Sequence, residues 1–341
     1  MGKCVVTVDT GTTNTRAFLW DEHQNMIANA KKEVGVRNTA IDGNNERLKK
    51  AVHDCIEELL GQAGITYRDI SKVMACGMIT SNVGLTEVPH VSAPAGLKEL
   101  ADQAESILLE DVCPLPILFI PGVKNHMESI TMNNFEMMDI MRGEEVESMA
   151  ILDHFSKGKP YLLVLPGSHT KFVTVDEEGK LTGCLTTISG ELLASITNDT
   201  VIADAVGRQF VAEEDYNREM VLKGFAEGYR MGIGRVCFSA RILNLFVEKD
   251  KKKLANFILG AALANDVQAI RNSEALKVSN EMTVIVSGKN PFRQAVKDIL
   301  EYDGYFAHIQ EFVPDSMLPL SAAGAYLVAS AMEDRKNEGE Q

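Results

Sequence analysis

The sequence predicts an α/β protein of two domains, each built on a mixed sheet flanked by helices. Its 341 residues exceed what one compact core usually holds, which favours two cores. Short apolar, β-branched runs alternate along the chain with longer segments whose apolar residues recur at helical spacing. An arrangement of strand, small polar tip and second strand occurs twice, within 6–20 and within 161–175. Together these observations favour an α/β fold with a weak internal duplication.

The composition is that of an ordinary globular protein and narrows the classes of partner. Hydrophobic residues make up 45% of the chain and charged residues 24%. The net charge of −14 disfavours nucleic-acid binding, so an anionic ligand would need a locally basic pocket. No apolar run is long enough to span a bilayer, and the first strand begins too early to leave room for a signal peptide. We therefore expect a cytoplasmic protein, and because the six cysteines lack metal-ligand spacing, we expect them to be reduced and mostly buried.

The first predicted hairpin carries residues suited to phosphate. Its apolar run reads as a buried strand that ends at Asp9. The tip that follows contains Gly11, Thr12, Thr13 and Asn14. Such a tip is rich in backbone N–H groups and small polar side chains, which bind anions without bulk. Asp9 beside it is placed to hold a cation that phosphate brings, although an ordinary hairpin with a solvated aspartate would look the same.

Further elements of the first domain follow from the hydrophobic periodicity. They are a strand within 25–35, a helix over 44–61, a strand over 72–77, a helix over 97–109 and a strand over 117–120. The loop after the strand at 72–77 lies where open α/β sheets place their ligands. Ser81 and Asn82 in this loop could bind sugar hydroxyls, but a polar loop that caps the next element is the alternative.

The middle of the chain is rich in methionine and asparagine and then becomes helical. Over 124–139 the periodicity is weak, and the methionines favour core or lid residues over a metal site. A helix is predicted to start within 141–147 and to run to about 154, and its start contains the paired acids Glu144 and Glu145. Acids in a first helical turn commonly complement the helix dipole, but Glu144 is also where a general base could stand.

The second hairpin repeats the first, with an apolar strand at 161–165, a polar tip and a strand at 172–175. The tip contains Gly167, Ser168, His169, Thr170 and Lys171. Two such hairpins facing one another would grip a polyphosphate from both sides, so the repetition strengthens the phosphate interpretation. His169 has no second histidine at suitable spacing, which favours a role in orienting the loop.

The remainder is predicted to be mostly helical. The predicted elements are helices over 206–228, 235–248, 251–271 and 321–332, strands over 282–286 and 307–312, and a frayed charged tail over 333–341. Ser189 is the expected N-cap of a further helix. Arg241 is equally compatible with a substrate-carboxylate ligand and with a solvated helix residue. After the strand at 282–286, Gly288 would let an adenine or ribose approach the backbone.

The two hairpins and the later strand–Ser-Gly turn resemble the sugar kinase/hexokinase/Hsp70/actin superfamily. The chain contains neither a Walker A loop nor a dinucleotide fingerprint. More closely, it resembles the 2-dehydro-3-deoxygalactonokinase family. The strings that carry this closer resemblance lie at 8–17, 77–84, 141–145, 165–171 and 189–192. The chain departs from the family pattern at Thr10, where an aromatic residue is expected, and in a longer segment 124–139.

The resemblance implies a fold and a set of contacts. The fold is two ribonuclease H-like domains of actin/hexokinase type, with ATP and Mg²⁺ in the interdomain cleft. Domain 1–142 would bind the sugar and carry the first phosphate hairpin, and domain 143–341 would bind the nucleotide, with the last helix packing back on the first domain. The implied nucleotide contacts are Gly11, Thr12, Thr13, Asn14, Gly167, Ser168, Thr170 and Gly288. The implied substrate contacts are Arg16, Ser81, Asn82 and Arg142.

The resemblance also implies a reaction, the ATP-dependent phosphorylation of the terminal hydroxyl of 2-keto-3-deoxy-galactonate to the 6-phosphate. Asp9 would hold the metal, directly or through water, and Lys171 would add positive charge in a catalytic role. Glu144 would accept the hydroxyl proton, with Glu145 as the rival base. The alternatives are a kinase of another small sugar acid or polyol, and a non-catalytic nucleotide-binding regulator. The preferred epimer and the oligomeric state stay open, with a homodimer as one option.

Overall fold

The computed structural model describes residues 3–313 and 319–338, and its side chains up to Met332. The strands of the first half are β1 (Cys4–Thr10), β2 (Thr15–Trp20), β3 (Met26–Lys32), β4 (Ile70–Gly77), β5 (Val91–Ser92), β6 (Glu105–Ile107), β7 (Ile117–Phe119), β8 (Val123–Lys124) and β9 (Ile140–Met141). The helices of the first half are α1 (Val36–Asp42), α2 (Glu46–Ala63), α3 (Leu97–Asp102) and α4 (Glu144–Leu152).

The second half contains one sheet and most of the helical residues. Its strands are β10 (Tyr161–Leu165), β11 (Thr170–Val175), β12 (Leu181–Thr187), β13 (Thr283–Val286) and β14 (His308–Glu311). Its helices are α5 (Ser189–Asp199), α6 (Arg218–Met231), α7 (Ile233–Phe246), α8 (Lys251–Asn272), α9 (Phe292–Asp303) and α10 (Leu320–Glu338). The predicted α/β class with mixed sheets flanked by helices is therefore confirmed.

The first main sheet is centred on β1, which runs antiparallel to β2 and parallel to β4. The strand order across this sheet is β3-β2-β1-β4-β7-β6. Every residue of β1 is buried, because its β-branched run packs on both faces of the sheet. The register pairs Asp9 with Arg16 on one side and with Cys76 on the other. The ends of β1 and β4 therefore meet at one edge.

The second sheet repeats this pattern. Its order is β12-β11-β10-β13-β14, which matches β3-β2-β1-β4-β7 position by position. The two pairings on the hairpin side are antiparallel and the two on the other side are parallel in both sheets. The internal duplication predicted from the two hairpins thus extends to five strands of each sheet.

Helix α10 joins the two halves in one hydrophobic core. It packs against α3, α4 and the β1–β4 face of the first sheet. At Gly324 a Cβ atom would lie 1.8 Å from the carbonyl oxygen of Val146, so only glycine allows this approach between α10 and α4. The shared cluster includes Trp20 of β2, Leu163 of β10 and Val328 of α10. The domain boundary at 142/143 stays a prediction.

Several local predictions need correction. The helix predicted over 97–109 ends at Asp102, because residues 105–107 pair as β6 with the edge of β7. The helix predicted over 206–228 begins only at Arg218, since Gly207 and Arg208 adopt positive φ angles of 76° and 55° that interrupt a helix. The tail predicted to fray from 333 continues as helix to Glu338, and 339–341 lie outside the described residues. Within the described ranges, no helix is both long and apolar enough to cross a membrane.

Candidate active site

A cavity of about 380 Å³ lies between the two halves of the protein. Arg16 of β2 and two acids of α4, Glu144 and Glu147, line it from the first half. From the second half it is lined by Gly167 at the hairpin tip and by Gly288 after β13. The cavity therefore brings carboxylates from one half against glycine-containing loops of the other.

Asp9 lies at the end of β1 and is 6% exposed. Its Oδ2 accepts a hydrogen bond from the Arg16 guanidinium at 2.6 Å, and the Ser321 hydroxyl also bonds to the carboxylate. Burial raises the pKa of Asp9, while Arg16 and Ser321 act in the opposite direction. Its Oδ1 lies 3.0 Å from where a Cβ on Gly77 would stand. Asp9 is thus a paired carboxylate just behind the cavity wall.

The tip of the first hairpin is supported from below by the start of α1. A Cβ on Gly35 would lie 2.5 Å from the carbonyl oxygens of Gly11 and Thr12, so glycine is required there. The N–H groups of Val36 and Arg37 donate to those two carbonyls. Gly11, Thr12, Thr13 and Asn14, the predicted nucleotide contacts, do not line the cavity, and Thr13 and Asn14 border a separate surface recess.

The first turn of α4 presents its acids in two directions. Gly143, at φ 111°, allows the sharp entry into the helix. Glu144 lines the cavity, and its Oε2 accepts a hydrogen bond from the Arg142 N–H at 3.0 Å. Glu145 is fully buried, with Oε2 bonded to the Gly143 N–H at 2.7 Å. Burial, followed by the nearby charge of Glu144, raises the pKa of Glu145 to about 8.

Glu147 is a cavity residue that the sequence analysis missed. It lies three positions after Glu144 and therefore on the same face of α4. Burial, followed by the carboxylates of Glu144 and Asp9, raises the pKa of Glu147 to about 8. Within the described ranges its carboxylate forms no hydrogen bond. The three-residue spacing between Glu144 and Glu147 is the sequence signal that indicates this position.

The tip of the second hairpin is supported in the same way as the first. A Cβ on Gly190, in the first turn of α5, would lie 2.3 Å from the Gly167 carbonyl oxygen and 2.7 Å from Ser168 Cα. Gly288, at φ 93°, lies against the Pro166 carbonyl oxygen. The Ser168 side chain is exposed, and the Thr170 hydroxyl is buried with no hydrogen-bond partner among the described residues. Neither of the two lines the cavity.

Two predicted site residues hold backbone rather than line the cavity. Lys171 is 5% exposed, and its ammonium donates to the Ile140 carbonyl oxygen at 2.8 Å. The Arg142 guanidinium donates to the carbonyl oxygens of Thr80 and Val88, at 2.7 and 2.9 Å. Arg142 therefore shapes the 80–90 loop, and Lys171 holds the chain just before α4.

The remaining predicted polar residues lie at other positions. The Ser81 hydroxyl donates to the Met78 carbonyl oxygen at 2.7 Å, and Asn82 is exposed in the same loop. Ser189 does not cap α5 with its side chain, because its hydroxyl instead bonds to the buried Asp266 of α8. Arg241 is exposed on α7. His169 lines the cavity, and its Nε2 lies 3.1 Å from Glu191 Oε1.

A larger cavity of about 740 Å³ opens at the other end of α4. Leu152, Tyr161 and Lys180 are among the residues that line it. Neither hairpin tip and neither Glu144 nor Glu147 contributes to it. The smaller cavity, where carboxylates and glycine-containing loops meet, is therefore the candidate active site. The described residues contain no group of three or more His, Cys, Asp or Glu side chains with metal-binding geometry.

Comparison with known proteins identifies the family. A sequence model of the 2-keto-3-deoxy-galactonokinase family matches residues 9–313. The 2-dehydro-3-deoxygalactonokinase of Escherichia coli (strain K12) is 23% identical over 274 residues, which cover 78% of this chain and 80% of that protein. A solved structure from Sinorhizobium meliloti, described as a candidate 2-dehydro-3-deoxygalactonokinase, is similar in fold, with a TM-score of 0.73 and 20% identity over 96% of each chain. The resemblance inferred from the motif strings is confirmed, and the chain belongs to the 2-keto-3-deoxy-galactonokinase family.

Proposed function

We propose that the protein, in the cavity between its two halves, transfers the γ-phosphoryl group of ATP to the terminal hydroxyl of 2-keto-3-deoxy-galactonate, giving the 6-phosphate. As a member of this family, the chain is a sugar-acid kinase that acts on the keto-deoxy-galactonate. The observation that carries the detailed proposal is that Glu144 lines the same cavity of about 380 Å³ as Gly167 and Gly288. The proposed proton acceptor and the proposed phosphate-binding loop thus line one cavity.

Glu144 is the proposed general base. Its carboxylate lines the cavity, whereas the rival Glu145 is fully buried and bonded to the Gly143 N–H. A base must come within hydrogen-bond reach of the hydroxyl whose proton it accepts, and only a group at the cavity wall can do so. This geometry favours Glu144. Most of the rate would come from positioning and charge stabilisation, as is usual in phosphoryl transfer.

The nucleotide phosphates are proposed to lie against the second hairpin and Gly288. Gly167 and Gly288 line the cavity without side chains, so an anion can approach their backbone closely. The two predicted hydroxyl contacts, Ser168 and Thr170, stay proposals, as do the first-hairpin contacts Gly11, Thr12, Thr13 and Asn14. Domain 1–142 would bind the sugar acid and domain 143–341 the nucleotide, with Glu144 at the start of α4 directly after the predicted boundary.

The carboxylates around the cavity fit a divalent cation. The unpartnered Glu147 has its pKa raised to about 8 by burial and by neighbouring carboxylates, and a cation there would relieve the repulsion. Asp9 and Glu147 are therefore the residues proposed to hold Mg²⁺, directly or through water, and Mg²⁺ in kinases typically uses one or two carboxylates. When bound, the ion would neutralise charge on the transferred phosphoryl group.

The acceptor side of the cavity is proposed to use the 77–90 loop. Arg142 holds this loop through Thr80 and Val88, which would orient Ser81 and Asn82 towards the sugar acid. Arg16 lines the cavity with 42% of its side chain exposed, so its guanidinium can meet an anionic ligand while remaining paired with Asp9. Lys171 would contribute indirectly, through its hydrogen bond to the Ile140 carbonyl oxygen just before α4. All six cysteines are buried and unpaired, which suits the proposed cytoplasmic location.

A coupled ADP-release assay with ATP and Mg²⁺ tests the proposal. It compares 2-keto-3-deoxy-galactonate, its gluconate epimer and neutral sugars, with wild type, Glu144→Gln and Asp153→Asn. Asp153 is exposed at the far end of α4, so its variant is a matched control. We expect turnover confined to the keto-deoxy acids and a loss of about 100-fold or more in kcat for Glu144→Gln alone. Turnover only on neutral sugars, or full activity of Glu144→Gln, would contradict the proposal.

A further inference from the structure

A ring of contacts ties the approach to α4 to the second sheet. Lys171 Nζ donates to the Ile140 carbonyl oxygen at 2.8 Å and to Thr186 Oγ1 at 2.5 Å. Thr186 in turn donates its N–H to Asp139 Oδ2 at 2.5 Å and its hydroxyl to Asp139 Oδ1 at 2.9 Å. Because Asp139 and Ile140 are chain neighbours, these contacts close on themselves. We call Lys171, Thr186 and Asp139 the anchor network.

The contacts of the anchor network are expected to persist because the Lys171 ammonium is buried. Lys171 is 5% exposed, so its ammonium must be compensated inside the protein. The ammonium donates hydrogen bonds to the Ile140 carbonyl oxygen and the Thr186 hydroxyl oxygen. The Thr186 hydroxyl in turn connects it to the Asp139 carboxylate. Breaking one contact would leave a buried charge poorly satisfied, which strongly favours the closed ring.

The same strand also holds the other end of the 124–139 segment. Asn125 donates through Nδ2 to the Cys184 carbonyl oxygen at 2.9 Å, and the Cys184 N–H donates to Asn125 Oδ1 at 2.7 Å. The Asn125 N–H donates to the Asp139 carbonyl oxygen, also at 2.9 Å. The segment is thus fastened to β12 at both ends, and its exit leads through β9 into α4.

The position of the anchor network connects the two walls of the cavity. Lys171 pairs with Leu165 immediately beyond the tip that contains Gly167. Ile140 begins β9, which leads directly to Gly143 and the cavity-lining Glu144. A displacement of the second hairpin would therefore be passed to the start of α4, and the converse also holds.

We propose that the anchor network is a positioning device, which sets the separation between the Glu144 carboxylate and the phosphate-binding tip of the second hairpin. This inference rests on the proposed function, because it concerns the distance between the base and the phosphoryl donor. None of its three residues lines the cavity, so they act through backbone placement and not by contact with the reacting atoms.

Three variants on one strand test this inference. Thr186→Val removes the hydroxyl that links Lys171 to Asp139 and keeps the β-branched shape, and Thr186→Ser restores a hydroxyl. Thr182→Val is the matched control, because Thr182 lies on the same strand and donates to Thr174 Oγ1 at 2.9 Å, away from α4. The measurements are kcat, the KM for ATP, and the ratio of ADP released to sugar phosphate formed.

We expect Thr186→Val to lower kcat by about 10- to 100-fold, because small misplacements of reacting groups have effects of this size. The KM for ATP should change by less than about threefold, and the ratio of ADP to sugar phosphate should rise above that of wild type, because water replaces the misaligned acceptor. Thr186→Ser should recover most of the activity, and Thr182→Val should behave as wild type. The inference would be overturned if Thr186→Val kept the wild-type kcat and the wild-type ratio of ADP to sugar phosphate. It would also be overturned if Thr182→Val lost as much kcat as Thr186→Val.

Hydrogen–deuterium exchange of the amides at 140–147 provides a test that does not depend on turnover. Faster exchange there in Thr186→Val, but not in Thr182→Val, is the expected result. Unchanged exchange would overturn the inference even if the enzyme phosphorylates the keto-deoxy acid as proposed. Conversely, a wild type without turnover would refute the proposed function, while exchange still decides whether the network holds α4. Asp139→Asn serves as the second variant if Thr186→Val does not fold.

Discussion

The two hairpins share their architecture and differ in their charge. In each, a glycine before or within the following helix packs under the tip, Gly35 in the first and Gly190 in the second. At the position where the first hairpin pairs Asp9 with Arg16, the second pairs Leu165 with Lys171. The duplicated part is the backbone of the hairpin and its supporting glycine, and the carboxylate at the end of the first strand belongs to one copy only. If the proposed function is right, two copies of one scaffold divide the acid chemistry and the nucleotide binding between them.

The largest expected effect is the loss of either supporting glycine. In Gly35→Ala and Gly190→Ala the new methyl group would meet backbone atoms at 2.5 and 2.3 Å, so the tip must move. We expect each to lose about 3–5 kcal/mol of unfolding free energy, measured by urea titration. Gly61→Ala, on α2 with nothing within 4 Å, is the control and should gain about 0.5–1 kcal/mol. Unequal losses at Gly35 and Gly190 would break the structural equivalence of the hairpins.

Asp266 of α8 is a buried acid bonded to the start of α5, beside the second hairpin, and should make the free energy of unfolding depend on pH. Asp266 is 3% exposed and bonds to Ser189, next to Gly190, and burial raises its pKa from 3.8 to about 6. The folded state therefore binds this proton more tightly than the unfolded state, so the stabilisation that protonated Asp266 contributes is lost as the pH rises from about 4 to 6. The shift in the pKa of Asp266 corresponds to about 3 kcal/mol of unfolding free energy. In Asp266→Asn this pH-dependent contribution should be absent when the free energy of unfolding is measured between pH 4 and 7. Parallel curves of unfolding free energy against pH for the variant and wild type would contradict this prediction.

Asp9 is the charge that separates the two copies, and its removal tests that difference directly. We expect Asp9→Asn to lower kcat by about 100-fold, while the affinity for ADP without metal, measured by calorimetry, stays within about threefold. The matched control is again Asp153→Asn on the exposed end of α4. If Asp9→Asn turned over as fast as wild type, the asymmetry would have no chemical meaning.

The smallest expected effect concerns Glu147, the unpartnered carboxylate of the cavity. Because burial and neighbouring carboxylates raise its pKa to about 8, its ionised form is unfavourable in the folded protein. Glu147→Gln should therefore raise the unfolding free energy at pH 8.5 by about 1 kcal/mol, a typical gain where a site residue is removed. The same variant should lose the increase in ADP affinity that Mg²⁺ gives to wild type. Lower stability would place Glu147 among the structural residues.

Strands and hairpins were predictable from the sequence because their signals are local. The run that ends at Asp9 is consecutive and β-branched, and the repeat at 161–175 has the same order of residue types. By contrast, β6 depends on pairing with β7, which no local pattern encodes. The support of Gly11 by Gly35 is likewise a contact across a loop, and nothing near either glycine announces it.

The candidate site was predictable in its residue types and less so in its contacts. Glu144 was expected at the start of a helix, and it lines the cavity. Lys171 was expected to add positive charge in a catalytic role, and its ammonium is instead bonded to Ile140 and Thr186. That arrangement depends on how β11 and β9 lie in space, which the spacing of residues along the chain does not encode. Glu147 lies three residues after Glu144, so helical spacing alone puts it on the same face of α4.

The close packing of α10 on α4 has a consequence for the order in which the protein matures. The acids of α4 are synthesised well before Gly324. The shared core is complete only when Gly324 packs against the backbone of Val146. A nascent chain that has already formed both sheets would thus still lack the packing of α10 on α4, the helix that carries the proposed base Glu144. Catalytic competence should arise only after α10 emerges from the ribosome, so incomplete chains would not consume ATP during synthesis.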